Sequence, residues 1–296
     1  MASSDYQIEY RSLVMGLGTN YHISSIDGLE DDAVRIGDAA IPRAGGDIPG
    51  LHVASSRQIV LNVRVIGDRG SDALRDDIQA LIDAFQHADD EYPLYFKEPG
   101  FDDRRFVWAR PAGRVSRRDP RQPFLPSFTL RLKLADPRAY RETADQDTLI
   151  VYSASGGGMD YDVTDYGKDY TVDPAAEVVM VNDGNAKAWP LIRFYGPTVG
   201  TIDEVTLTNV TTGGELVLAT SILSSQILTV DMHNIVTVKP SDEHVIRLGS
   251  TNKYTDWQQP REPFYLQPGS NTLRYEVTSG TSTDAICVVT FNDTWL

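Results

Sequence analysis

Two segments in the first half of the chain alternate between apolar and polar side chains. In residues 127–134, four apolar side chains alternate with four polar ones: Phe128, Leu130, Leu132 and Leu134 against Ser127, Thr129, Arg131 and Lys133. A period of two places successive side chains on opposite faces of a strand. The pattern predicts a strand with one buried face and one wet face. Residues 59–66 predict another, with Ile59, Leu61, Val63 and Val65 on one side.

One helix is predicted between these strands, over residues 71–90. Its apolar side chains recur at spacings of three and four: Leu74, Ile78, Leu81, Ile82 and Phe85. This spacing gives a single apolar stripe that faces a sheet, and Ser71 is a suitable N-cap. A further strand candidate follows from Pro93. The first half therefore reads as an α+β unit with one helix packed on a β-sheet.

The second half shows no sustained helical period. Short β-branched segments follow one another, separated by turn sequences such as NDGN, TTGG and QPGS. The eight strand candidates are residues 177–181, 189–196, 204–210, 215–220, 226–231, 234–240, 271–278 and 284–291. Strands at this spacing predict an all-β sandwich or jelly roll.

The amino-acid composition changes between the two halves. Residues 156–175 combine three consecutive glycines with five aspartates, the composition of a linker or exposed loop. A chain of 296 residues is long enough for two domains. We predict an N-terminal domain over residues 1–148 and a C-terminal domain over 149–296.

The charge of the chain argues against general nucleic-acid binding. The formal net charge is −15, whereas counterion release needs an array of basic side chains. Residues 104–121 depart from this balance, with seven arginines against one acid, Asp119. The segment is either a solvated hairpin or a docking surface for an acidic patch on a neighbouring subunit. The candidate docking residues are Arg104, Arg105, Arg114, Arg117 and Arg118.

No catalytic motif emerges. The five histidines sit in unlike contexts, and no G-x-S-x-G elbow surrounds a serine. Cys287 lies in a strand pattern typical of a packed, inert thiol. Gly16-Leu17-Gly18 lacks the third glycine of a dinucleotide loop and is better read as a turn. Paired carboxylates for glycoside cleavage are not singled out. We expect a protein that is not an enzyme and needs no cofactor.

Metal and membrane signals are weak as well. An EF-hand loop starting at Asp160 has Asp165 where glycine is required and Thr171 where a bidentate glutamate is required. A hydrated loop is the default, and a calcium site of another design stays open. No apolar run reaches the length of a membrane span, and the N-terminus lacks the features of a signal peptide. We therefore expect synthesis in a cytoplasm and no membrane partner.

An aromatic loop near the C-terminus is the candidate for sugar binding. Tyr254 and Trp257 are placed to stack on a sugar ring, with neighbouring polar side chains for its hydroxyls. Such loops more commonly pack against their own domain or a partner. This leaves a carbohydrate-binding, host-recognition module acting through the C-terminal sandwich as the alternative function.

Several segments in order carry a family resemblance. They are ADPRAY (135–140), VNDGNAKAWPLIRFYG (181–196), LTNVTTGGELVL (207–218), LTVDMHNIVTVKP (228–240), FYLQPGSNTLRYEV (264–277) and VVTFNDTWL (288–296). Together they resemble the distal tail (Dit) protein family of long-tailed, non-contractile bacteriophages. The resemblance covers most of the chain, and the acidic insertion at 156–175 departs from its compact form.

The resemblance implies a structural virion protein. Members form a hexameric ring at the tail tip, with N-terminal belts around a channel through which the DNA passes and galectin-like β-sandwiches projecting outward. The implied partners are further copies of the chain, the tail tube protein, the tail-associated hub protein and tail fibres or receptor-binding proteins. The implied location is the virion, after assembly in the cytoplasm of the host bacterium.

Overall fold

A computed structural model describes residues 7–29, 34–40, 47–48, 50–51, 53–67, 72–97, 103–117, 125–152, 175–237, 245–258, 261–282 and 284–296. The chain divides into two compact units. The first comprises Met1–Thr143 with Leu296, and the second comprises Ala144–Trp295. The predicted boundary at 148 falls inside a strand of the second unit, Asp145–Tyr152, because pairing in that sheet starts before the polar linker composition does. The predicted linker at 156–175 lies almost wholly outside the described residues.

Among its described residues the first unit contains one large antiparallel sheet, two two-stranded sheets and one helix. The strands are β1 (Gln7–Tyr10), β2 (Leu13–Gly16), β3 (Tyr21–Asp27), β4 (Val34–Arg35), β5 (Ala39–Ala40), β6 (Asp47–Ile48), β7 (Val53–Ala54), β8 (Arg57–Val65), β9 (Tyr92–Phe96), β10 (Arg105–Pro111), β11 (Ser116–Arg117), β12 (Ser127–Leu134) and β13 (Ala139–Arg141). The helix α1 spans Asp72–Ala84. The strand order is β2-β1-β9-β10-β12-β8-β3, while β4 pairs with β7 and β5 with β6.

Helix α1 covers one face of this sheet. The alternation predicted for β8 and β12 is confirmed: their inward side chains are buried, from Ile59 to Val65 and from Phe128 to Leu134. Leu74, Leu81 and Phe85 of the helical segment are buried as well, and the ring of Phe85 lies 5.0 Å from that of Tyr10 in β1. Helix α1 has a single apolar stripe, and this stripe packs on one face of the sheet. The helix does not cover the opposite face.

The arginine-rich segment contains a central strand that the sequence did not reveal. Strand β10 pairs with β9 through Arg105–Ala109 and with β12 through Arg110 and Pro111. Val107 and Ala109 are buried on the helix side. Phe106, Val107, Trp108 and Ala109 form a short continuous apolar run, which was the strand signal available and which the flanking arginines obscured.

The second unit is a sandwich of two antiparallel sheets. Its strands are β14 (Asp145–Tyr152), β15 (Ala175–Asn182), β16 (Leu191–Tyr195), β17 (Thr201–Asn209), β18 (Gly214–Leu218), β19 (Ile222–Leu223), β20 (Ile227–Asp231), β21 (Ile246–Leu248), β22 (Thr251–Asn252), β23 (Gly269–Gly280) and β24 (Asp284–Phe291). A further short strand, β25 (Thr294–Trp295), lies in neither sandwich sheet. One sheet has the order β14-β24-β16-β20-β21-β22, and the other has β15-β23-β17-β18 with β19 beside β17. Both inner faces are buried in one apolar core.

One predicted strand of the second unit is wrong. Residues 234–240 were expected to be extended, but the structure has a short helix, α2 (Met232–Thr237), over their first part. Asp231 explains the change, because its Oδ1 accepts the backbone N–H of Asn234 at 2.9 Å. This is an N-cap contact, and it outweighs the β-propensity of the following Ile-Val-Thr-Val. The other seven strand candidates lie on strands β15, β16, β17, β18, β20, β23 and β24.

Buried asparagines fix the loops at one end of the sandwich. Asn271 is fully buried, and its Nδ2 donates to the carbonyls of Gln267 and Gly269. Its Oδ1 accepts from the backbone N–H of Gln267 and from the Nδ2 of Asn209. Gly269 has φ of +87°, which suits the turn expected at Pro268-Gly269. Polar side chains in this core therefore hold its loops in place.

Candidate functional site

The candidate docking residues do not share one surface. Arg104 bonds within its own unit, because its guanidinium pairs with Glu9 and, at 3.3 Å, with Glu142. The same group lies over the ring of Tyr95, 4.3 Å from its centroid. Only 18% of its side chain is exposed. The charge of Arg104 is therefore already paired inside the first unit, and its docking role stays a prediction.

Arg105 begins strand β10 and is half-buried. It stands opposite Phe96 of β9 and Arg141 of β13 in the ladder. Arg141 in turn pairs with Asp103 through its Nε at 3.2 Å. This end of β10 is thus packed among neighbouring strands, and it is separate from the exposed hairpin that follows.

The exposed arginines lie at and beyond the other end of β10. Arg110, Arg114 and Arg117 are all exposed. Arg114 lies in the turn that leads to β11, and Arg117 is in β11, opposite Phe128. Arg118 lies outside the described residues. Of the predicted docking residues, Arg114 and Arg117 are thus the ones that the structure shows exposed in this turn and in β11.

A cleft of about 610 Å³ separates the end of α1 from this turn. Ile82, Phe85 and Val115 give it an apolar wall, while Arg114 and His87 supply polar groups. The last carbonyls of a helix carry partial negative charge, so a cation beside them is favourably placed.

The face of the sheet opposite α1 carries a second group of cations that the sequence interpretation did not select. Arg110 and Lys133 are direct cross-strand partners, Arg131 lies two residues from Lys133, and Arg64 stands opposite Ser127. All four are exposed. The alternation of β12 had already placed Arg131 and Lys133 on its wet face, so that pattern was the signal available.

The predicted saccharide platform is corrected by the position of Trp257. This side chain is only 2% exposed and belongs to the core of the second unit. Stacking on a sugar requires an accessible ring face, which a buried indole does not offer. Tyr254 is half-buried and packs edge-on against Trp257, with ring centroids 5.9 Å apart. The loop therefore packs on its own domain, as such loops commonly do.

Polar contacts keep this loop in place. The carboxylate of Asp256 accepts from the hydroxyl of Thr220 at 2.8 Å and pairs with Lys253 at 3.0 Å. Burial alone raises the pKa of Asp256, but the bonds from Lys253 and Thr220 outweigh burial, and the net pKa lies below its ordinary value. Arg261 donates from Nε to the carbonyl of Trp257 at 2.7 Å. The charged groups of the loop thus bond to one another.

Other candidate chemistry is accounted for by packing. Cys287 is fully buried in β24, and burial raises the pKa of its thiol. The prediction of a packed thiol is confirmed. Within the described ranges no three metal-ligating side chains come together, and the acidic segment tested for calcium lies outside them. None of the described helices has the length and apolar character needed to cross a bilayer.

The fold defines a class: a helix-backed antiparallel sheet followed by a two-sheet sandwich. A crystal structure of the Dit protein of phage SPP1 shares it, with a TM-score of 0.62 and 17% identity over 98% of this chain and 99% of that one. That protein is described as a paradigm of the hub adsorption apparatus in phages that infect Gram-positive bacteria.

A chain of the phage P2 baseplate in its activated conformation with calcium is also similar. Its TM-score is 0.51 at 9% identity, and the match covers 96% of this chain and 97% of that one. No protein-family model matches the sequence, and no curated protein matches it either. The chain therefore has a Dit-like fold, a result that comes from three-dimensional similarity.

Proposed function

We propose that this chain is a structural virion protein of a bacteriophage, the distal tail protein of its tail tip. Six copies form a ring that connects the tail tube to the tail-associated hub protein and offers an attachment platform for tail fibres or receptor-binding proteins. Its work is assembly and not catalysis. The second unit is the galectin-like part that projects outward.

One observation carries this proposal: the similarity to SPP1 Dit runs through 98% of this chain and includes both units. A shared sandwich alone is a common fold and says little about role. A helix-backed sheet joined to a sandwich, matched along nearly the full length of both chains, is a much rarer combination. The resemblance of sequence segments in both halves supports the same assignment.

The alternative of a carbohydrate-binding module is not carried further. It depended on Trp257 as the stacking residue, and that ring lies in the core. A sugar reaches it only if the sandwich opens. The second unit is retained in the proposal as an outward-facing attachment domain.

Immunogold labelling of purified virions tests the proposal. Antibodies raised against the full-length chain should label one end of the tail, at its tip, in intact particles. A gene knock-out in the phage should yield tail tubes without a tip structure, and supplying the chain in trans should restore it. Label on the head or along the tube shaft, or normal tips in the knock-out, would contradict the assignment.

A further inference from the structure

The first unit has two faces of opposite charge. On the sheet face away from α1, four exposed cations lie on adjacent strands: Arg64, Arg110, Arg131 and Lys133. Within the described part of the chain no ion pair uses any of them. Three described acids lie beside these cations: Asp27 stands opposite Val60 in the ladder, Asp89 lines one recess with Arg110 and Lys133, and Glu91 accepts through Oε1 from the backbone N–H of Ala135. His22 stands opposite Arg64. The four exposed cations outnumber these acids, so this face is net basic on an acidic protein.

Helix α1 presents the complementary charge on the other side of the unit. Asp72, Asp76 and Asp83 are exposed, and at about 100° per residue they share one edge of the helix. Leu74 and Leu81 are buried in the core and point away from that edge by roughly 160°. Arg75 offsets Asp72 at 3.5 Å, and Gln79 bonds Asp83. Asp76 and Asp83 are the acids least neutralised by cations of their own chain.

We infer that the open sheet face of one copy binds helix α1 of the next copy. Asp76 and Asp83 lie about 10 Å apart along the helix axis, a separation that the long side chains of Arg110, Arg131 and Lys133 can span. Basic and acidic faces on opposite sides of one unit give a head-to-tail contact, which closes into a ring when the rotation between copies permits it. This contact lies between neighbouring copies in the proposed ring. Only the closure of the copies into a ring rests on the proposed function.

A charge swap tests the contact directly. One full-length variant carries Arg131→Glu and Lys133→Glu, and the other carries Asp76→Lys and Asp83→Lys. Each variant alone opposes like charges and should lose about tenfold or more in association constant, read by analytical ultracentrifugation. Mixed at equal amounts, the two restore opposite charges at every contact, and six positions allow strict alternation. Recovery of the wild-type assembly is the expected result.

Controls separate this contact from general charge effects. Asp203→Lys with Glu215→Lys changes the charge by the same amount as the helix variant, at exposed positions of the second unit, and should leave association unchanged. Circular dichroism should show native folding in every variant, since all the replaced side chains are exposed. Both swap variants keep a net negative charge, so bulk attraction does not produce recovery on mixing.

The experiments distinguish a failure of the inferred contact from a failure of the proposed function. If wild type forms the ring and either swap variant forms it equally well, the contact is wrong and the tail-tip role stands. If mixing fails to restore assembly, or the second-unit control loses it too, the contact is also wrong. A failure of the tail-tip role appears separately, in the immunogold experiment.

Discussion

The two units differ in what packs against the buried face of their sheets. In the sandwich, two sheets bury each other's inner faces, and even its polar core residues, such as Asn271, bond to its own loops. In the first unit one helix covers one face, and the opposite face keeps Arg131 and Lys133 exposed. The sandwich thus buries two sheets against each other, whereas the first unit has an exposed face that carries several cations. Substitutions should thus affect stability in the second unit and assembly in the first.

The largest effect is expected from Trp257→Ala. Removing this buried indole leaves a cavity in the sandwich core and should cost about 3 to 5 kcal/mol of unfolding free energy. Chemical denaturation followed by circular dichroism measures the loss, and Trp257→Phe should lose clearly less. A change below about 1 kcal/mol would mean that the ring is not packed in the core and would reopen the platform hypothesis.

A second contrast uses two asparagines. Asn271→Ala breaks four hydrogen bonds in the buried loop anchor and should cost about 2 to 3 kcal/mol. Asn62→Ala, on the open face of the first unit, removes bonds to Ser25 and Thr129 and should cost less than about 1 kcal/mol. Equal losses in urea denaturation would remove the distinction between the two units.

Alkaline pH gives a smaller effect in the first unit. Burial raises the pKa of Tyr10 to about 12, and its hydroxyl donates to the carbonyl of Ala109. A folded pKa above the unfolded value near 10 gives stability that is complete below pH 10 and is lost as the pH rises through 12. The loss reaches about 1.4 kcal/mol by pH 11. Tyr10→Phe should reduce this slope, and the remainder comes from other tyrosines such as Tyr21, whose pKa burial also raises. An unchanged slope would show that Tyr10 does not titrate on unfolding.

The smallest effect concerns the cap of α2. Asp231→Ala removes the acceptor for the backbone N–H of Asn234 and should cost about 1 kcal/mol. Asp231→Asn retains a side-chain acceptor and should retain most of that stability. A thermal midpoint shared by all three proteins would show that tertiary packing alone holds this turn helical.

Local patterns predicted the parts of the fold in which one face of an element is buried. The alternation of β12 and the helical stripe of α1 are examples, because burial imposes the period directly. Strand β10 was missed because its outward positions carry Phe106 and Trp108 as well as Arg110, so its apolar and polar side chains do not alternate. Helix α2 was missed because a single cap contact from Asp231 decided it.

The site residues were harder to predict, since exposure is a property of the whole fold. Arg104 and Arg114 belong to the same basic stretch of sequence, yet Glu9 neutralises the first while the second is exposed. Trp257 looked accessible in a polar loop, but its side chain turns into the core. The basic sheet face joins residues from three strands that are far apart in the chain, and only the strand order brings them together.

Carbodiimide cross-linking of the assembled full-length protein tests the central claim most directly. This reagent joins a lysine to a carboxylate without a spacer, and mixing isotope-labelled with unlabelled chains identifies bonds between copies. The account predicts intermolecular links from Lys133 to Asp76 or Asp83, within the first unit. Intermolecular links confined to the second unit, or none in a protein that stays monomeric, would contradict it.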